Sequence, residues 1–261
     1  MSPIATTDER TFQIPGSEMA AKVLISGSGE TVVCFHDEMG RVWTPLNDRL
    51  AERRTVYAPY HPGWDDLGDL EQMDTIWELL LYYRDIIEEL RLERPALVGS
   101  SFGAMVAAEF AATFPELVSR IVLIAPIGLW RDDEPVADLW GLPQPTLNAL
   151  LWADPECQAA VDDSAGAGSP AVALARYLAS TSAAHFVWPV PERGLVRRLR
   201  RVKAPTLLIW GKKDGVVPVS YAGDFAAHLG TSTTVLVDGA AHNVHLEHPE
   251  VVAAAIQDFL S

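Results

Sequence analysis

Two cysteines in 261 residues are too few for a disulfide framework. Cys34 lies in an apolar run and Cys157 in a distant polar segment, so their spacing suggests no metal site and both read as ordinary thiols. Basic residues are also scarce. Twenty Lys and Arg against 35 Asp and Glu leave a formal charge of −15, which repels nucleic acid and anionic membrane surfaces. Long apolar runs are missing as well: the charge-free stretches 95–108 and 177–191 fall short of the roughly 18 residues a membrane span needs, and Gly, Ser or Pro interrupts both. The first ten residues offer no basic region followed by an apolar one, so no secretory signal is read there and a cytoplasmic enzyme is expected. No internal repeat or low-complexity tract occurs. A chain of this length fits one large α/β domain or two small ones, and it can bury roughly three quarters of its unfolded surface.

Short β-rich runs alternate with helical ones. Strands are expected at 11–14, 22–25, 31–35, 55–58, 96–98, 121–124, 206–210 and 233–237, several of them near-continuous Val, Ile and Leu of the kind buried on both faces of a parallel sheet. Helical periodicity runs through 75–92, 104–113 and 251–260. The alternation implies an α/β fold with a doubly wound, mostly parallel sheet of about eight strands. One stretch breaks the rhythm. Residues 129–195 contain helical patterns interrupted by prolines and by the loose segment 162–170, but no β-run, and are read as a helical insertion splitting a core of 1–128 and 196–261. Trp130, Trp140, Trp152 and Trp188 lie in or at the edge of it. They would suit either a lid over a pocket or the insertion's own small core.

Chemistry concentrates in Gly99-Ser100-Ser101-Phe102-Gly103, a G-x-S-x-G between a buried strand and an Ala-rich helix. A sharp strand-to-helix turn strains the middle serine and leaves no room for side chains two positions to either side. Ser101 thereby becomes a candidate nucleophile at a helix N-terminus, where free N–H groups and the dipole favour negative charge. A serine hydroxyl needs a base and an orienting acid. Asp214 follows the strand at 206–210 and His242 follows the strand at 233–237, so the order is Ser, Asp, His, each beyond the carboxyl end of a strand.

With the closing pattern G-x-x-H-x-x-x-x-E-x-P, here Gly239, His242, Glu247 and Pro249, the chain resembles the α/β-hydrolase superfamily with a helical cap over nearly its whole length. The resemblance implies Ser101 as nucleophile, His242 as base and Asp214 as its orienting acid, with no metal or organic cofactor. It also implies an oxyanion hole from the backbone N–H groups of Phe102 and Glu38. The loop that carries Glu38 departs from the family's usual His-Gly: it reads Phe35-His36-Asp37-Glu38-Met39-Gly40, which places two acidic residues near an oxyanion site. His36 is expected to be structural. His245 and His248 are expected to face solvent or the cap, and Glu247 and Pro249 to start a helix. A second departure is Tyr60-His-Pro-Gly-Trp-Asp-Asp-Leu67, read as a changed rim turn or as a pocket entrance lined by His61, Trp64 or Asp65. The basic run 197–203 is read as the solvated face of the last cap helix.

Hydrolysis of small, mainly apolar or aromatic carboxylic esters through an acyl-serine intermediate is the activity expected, with Trp64, Trp130, Trp140, Trp152 and Trp188 as pocket candidates. Three alternatives stay open: C–C bond hydrolysis of the meta-cleavage type, although those relatives carry a Trp soon after the histidine where this chain has Asn243-Val-His245; acyl transfer; and a ligand receptor on the same fold. The expected partner is a small-molecule acyl substrate. Substrate identity and oligomeric state are not readable.

Overall fold

The computed structural model describes residues 7–64 and 66–261; Asp65 lies outside them. Among the described residues eight strands form one sheet: β1 (Asp8–Gln13), β2 (Ala20–Gly27), β3 (Thr31–Phe35), β4 (Thr55–Pro59), β5 (Ala96–Ser100), β6 (Ile121–Ile124), β7 (Thr206–Gly211) and β8 (Ser232–Val237). Their order is β1-β2-β4-β3-β5-β6-β7-β8. The first two pairings are antiparallel and the rest parallel. Burial explains the order. β5, β6 and β7 are buried at every residue and take the centre, whereas β1, with Asp8, Glu9 and Arg10, is exposed and takes an edge.

Among the described residues ten α-helices accompany the sheet: α1 (Pro45–Ala51), α2 (Ile76–Glu89), α3 (Phe102–Thr113), α4 (Gln144–Leu151), α5 (Pro155–Ser164), α6 (Pro170–Val187), α7 (Leu195–Arg198), α8 (Tyr221–His228), α9 (Val244–Glu247) and α10 (Pro249–Leu260). Strand side chains alternate between two apolar layers. Val33, Phe35, Leu97 and Leu123 pack with α2, α3 and α8, while Val32, Cys34, Val98 and Val122 pack with α1 and α10. α2 starts at a capping box, with the Thr75 hydroxyl accepting from the Trp77 N–H at 3.1 Å and the Glu78 carboxylate accepting from the Thr75 N–H at 2.8 Å. The short helices α1 and α8 were not anticipated from the sequence, because seven or eight residues give too few turns for a periodic signal.

Between β6 and β7 the described chain is helical. This segment is tied to the loops after β7 and β8: the Gly215 N–H donates to Leu150 O at 3.3 Å and the Asn243 N–H to Leu151 O at 3.0 Å. The basic run around α7 is not the purely solvated face expected. Arg198 reaches into the core layer and pairs with the buried Glu109 of α3 through Nε at 2.7 Å and Nη2 at 2.5 Å, and Arg201 caps Ala112 O. A buried carboxylate requires such a partner. Among the described residues no helix is long and apolar enough to cross a membrane.

Candidate active site

Ser101 stands where β5 turns into α3, with φ 51° and ψ −114°, a left-handed backbone that a non-glycine residue adopts at a cost. The flanking glycines make the turn possible. A Cβ on Gly99 would lie 2.3 Å from Gly103 O, and one on Gly103 would lie 2.3 Å from Phe35 O. The Ser101 N–H donates to Ile124 O at 2.9 Å, fixing the elbow to β6. Phe102 is the first residue of α3, so its N–H has no acceptor within the helix.

His242 brings the other two groups to this serine. Its Nε2 lies 2.9 Å from Ser101 Oγ, and its Nδ1 lies 2.9 Å from Asp214 Oδ2. The second carboxylate oxygen of Asp214 accepts the N–H groups of Val216 and Val217, each at 2.9 Å, so the acid is locked in its turn. Ser101, Asp214 and His242 are 3%, 8% and 2% exposed, which removes them from competing water. Burial pushes the His242 pKa down. The Asp214 charge and hydrogen bond outweigh it, with help from Glu38 and Asp37, and hold the imidazole above its usual value.

The loop after β3 resolves the two acidic residues into different roles. Neither Asp37 nor Glu38 has a positive φ, so the glycine usual in the family is not needed for the backbone path. Asp37 turns away from the serine: Oδ1 accepts the N–H groups of Met39 at 3.0 Å and Arg41 at 3.3 Å, and Oδ2 accepts Arg41 Nη1 at 2.8 Å. Burial alone would raise its pKa, but Arg41 and neighbouring histidines hold it at about 2. Glu38 turns inward. Its carboxyl stands beside the Ser101 hydroxyl and near His242, and it is 3% exposed, with Oε2 lacking a hydrogen-bond partner among the described residues.

Histidines anchor this loop from behind. His36 Nδ1 faces Asp37 O at 2.8 Å and its Nε2 accepts the His61 N–H at 3.0 Å, so the proton sits on Nδ1. His61 in turn spans His36 O at 2.9 Å and the Tyr83 hydroxyl of α2. Burial drives the His36 pKa to about 4 and that of His61 well below its usual value, so both are neutral braces. His61 is therefore a buried support and not part of a pocket entrance. His245, expected at solvent or cap, is also buried, 4.0 Å from Asp37, with burial lowering its pKa to about 4.

Glu247 does not start a helix; it ends α9, and Pro249 alone opens α10. Glu247 Oε1 accepts the N–H groups of Ala153 at 2.7 Å and Asp154 at 3.1 Å, and Oε2 accepts the Ala241 N–H at 2.7 Å. One carboxylate thus joins the residue before His242 to the segment between α4 and α5. Its fixed spacing from His242 was the available signal.

The tryptophans separate. A cavity of about 540 Å³ between α6 and the loop after β3 is lined by Met39, Arg41, Tyr60, Trp64 and Arg176. Another of about 530 Å³ is lined by Met39, Arg41, Leu139, Trp152 and Arg176. Trp140 packs inside the helical segment, its Nε1 donating to Ser180 O at 2.9 Å. Trp130 and Trp188 are exposed, Trp130 bonded to Asp132, so the structure does not gather them with the others.

Residues 23–255 match the model of the alpha/beta hydrolase family, and the chain belongs to that family. Among its relatives, an uncharacterized protein of Mycobacterium tuberculosis is 26% identical over 270 residues, covering 90% of this chain and 76% of the relative. The 2-hydroxy-6-oxo-2,4-heptadienoate hydrolase of Pseudomonas putida is 26% identical over 258 residues, covering 92% of this chain and 88% of the relative. In fold the chain is similar to naproxen esterase from Bacillus subtilis, with a TM-score of 0.74 at 15% identity, covering 99% of this chain and 93% of that one.

Proposed function

We propose that this chain is a serine hydrolase of small, mainly apolar carboxylic esters. The observation that carries the reading is the continuous pair of 2.9 Å contacts from Asp214 through His242 to Ser101. In the first half-reaction Ser101 Oγ attacks the ester carbonyl while its proton passes to His242 Nε2, and the oxyanion is held by the N–H groups of Phe102 and Glu38. Collapse expels the alcohol, which takes the proton from His242, and leaves Ser101 acylated. Water then attacks with His242 again as base, releasing the carboxylic acid and restoring the hydroxyl. Asp214 holds the imidazole in the required tautomer and stabilises its charged form.

The helical stretch 129–195 acts as the cap in this reading, with 1–128 and 196–261 as the core. The cavity between α6 and the loop after β3 has mainly apolar walls, Met39, Trp43, Trp64 and Leu246 among them, which supports an apolar substrate, although Arg41 and Arg176 line both cavities and neither lining includes Ser101 or His242. The Pseudomonas putida relative favours a second reading, C–C bond hydrolysis of an anionic dienoate. Weighing against it, His242 is followed by Asn243-Val-His245, where relatives of that type carry a Trp. Comparing turnover of p-nitrophenyl butyrate and of 2-hydroxy-6-oxo-2,4-heptadienoate, with Ser101→Ala as control, separates the two. Ester turnover that disappears in the variant supports the proposal; cleavage of the dienoate alone refutes it.

A further inference from the structure

Four successive backbone donors of the loop after β3 are taken up inside it. The N–H groups of Met39 and Arg41 donate to Asp37 Oδ1 at 3.0 and 3.3 Å, that of Gly40 to Asp37 O at 3.2 Å and that of Val42 to Gly40 O at 2.9 Å. The Glu38 N–H, just before them, is in none of these bonds. It belongs to the same planar trans peptide as Asp37 O, and the two ends of such a unit point in opposite directions, so whatever fixes Asp37 O also aims the Glu38 N–H. The second bond to Asp37 O comes from His36 Nδ1 at 2.8 Å, and the His36 ring is held in turn by His61. We propose that His61, with Tyr83 behind it, is a positioning residue for both oxyanion donors, the N–H groups of Glu38 and Phe102. This assignment rests on the acyl-serine reading.

His61 reaches both donor segments from one place. Its backbone N–H donates to His36 Nε2 at 3.0 Å, its ring Nε2 lies 2.9 Å from His36 O, and the two imidazole centroids are 3.6 Å apart. On its other side the ring meets that of Phe102 edge-on, with centroids 5.2 Å apart. A carbonyl oxygen can only accept, so the His61 proton is on Nε2, and the bare Nδ1 takes the Tyr83 O–H from α2. Burial keeps the ring neutral and so preserves this direction. Each bond from Tyr83 through His61 and His36 to Asp37 O therefore has one orientation, and a ring that cannot turn sets the spacing between the loop after β3 and the start of α3. The turn that carries His61 is secured without its side chain. The Tyr60 N–H donates to Lys22 O at 3.0 Å, the Tyr82 hydroxyl to Tyr60 O at 3.2 Å and the Ser182 hydroxyl to Pro62 O at 2.6 Å. Replacing the imidazole thus releases the oxyanion peptide while the turn stays in place.

The test compares wild type with His61→Leu, His61→Gln and Tyr83→Phe. Two quantities are read: kcat and KM for p-nitrophenyl butyrate per fluorophosphonate-titrated site, and Ki for an alkyl trifluoromethyl ketone, whose hemiketal with Ser101 carries an oxyanion. His61→Leu keeps the bulk but removes both ring nitrogens; it is expected to lower kcat about 10²-fold with KM within about twofold, and to raise Ki by a comparable factor. Tyr83→Phe removes one hydroxyl and lets the His61 ring turn, for an expected loss of about five- to tenfold in the same two quantities. His61→Gln, whose amide can still donate to His36 O, is expected to recover about tenfold of what His61→Leu loses. A side chain that served folding alone would reduce the number of titrated sites and leave kcat per site and Ki as in wild type, and that result would overturn the assignment. So would a raised KM with kcat unchanged, or His61→Gln no faster than His61→Leu. Should His61→Leu not fold, Tyr83→Phe decides by the same readouts. Labelled protein with unchanged kcat and Ki in the variants defeats only the role of His61, whereas unlabelled wild-type protein defeats the acyl-serine reading beneath it.

Discussion

Ser101, His242 and Asp214 come from three separate loops and meet with two 2.9 Å contacts, so each contributes through the others. Replacing Ser101 by Ala is expected to abolish acyl-enzyme formation. Asp214→Asn should leave the fold intact yet lower kcat on the order of 10⁴-fold, because an amide in that place favours the wrong imidazole tautomer. Steady-state kinetics on a chromogenic ester checks this, and a drop below tenfold would show that Asp214 does not orient the base. The positions of these three residues were legible in the sequence, since each sits in a turn whose strand is a plain apolar run. What the carboxyls of Asp37 and Glu38 do was not. Two adjacent acids look equivalent in sequence, and only the fold shows one wrapped around Arg41 and the other facing Ser101.

At the scale of elements, the loop carrying His242 is secured by Glu247, which bonds both Ala241 and the chain between α4 and α5. Glu247→Gln retains an acceptor but loses the charge that holds three N–H groups. It is expected to lower kcat more than it lowers melting temperature, since the loop that positions the base loosens first; an unchanged kcat would contradict this. Arg198 of α7 performs a different task by neutralising Glu109 inside α3. Arg198→Ala leaves that carboxylate buried and unpaired, for an expected loss of roughly 2 to 3 kcal/mol in denaturant unfolding, with the partial exposure of Arg198 keeping the loss below that of a fully buried pair. A loss under about 0.5 kcal/mol would show that the pair is solvent-screened. The sequence disclosed the long helices because their apolar period spans several turns. It hid this ion pair, whose partners are far apart in the chain and belong to different elements.

The whole molecule buries several histidines in uncharged form, and this sets its response to acid. His36 and His245 have folded pKa values of about 4 against 6.5 when exposed, so between these values the unfolded chain binds protons that the folded chain does not. Stability therefore rises with pH across that window, and acidification through it removes on the order of 3 kcal/mol for each of the two. His61 acts in the same direction. Glu38 and His242, whose pKa values are raised, act oppositely: their contributions are present at low pH and are lost as pH rises through their folded values. Thermal melts should show a falling midpoint from about pH 7 to about pH 4, and a flat midpoint would mean these histidines are not buried neutral. The overall architecture was readable from strand-helix alternation, whereas this acid sensitivity depends on burial of polar rings that no sequence pattern reports.

The chemistry proposed for this protein turns on Ser101 being an activated nucleophile. Intact-mass measurement of purified wild type and Ser101→Ala after exposure to a fluorophosphonate tests it most directly, because covalent capture does not require the natural substrate. One adduct is expected on the wild type and none on the variant. No adduct on the wild type, or an equal adduct on both, would contradict it.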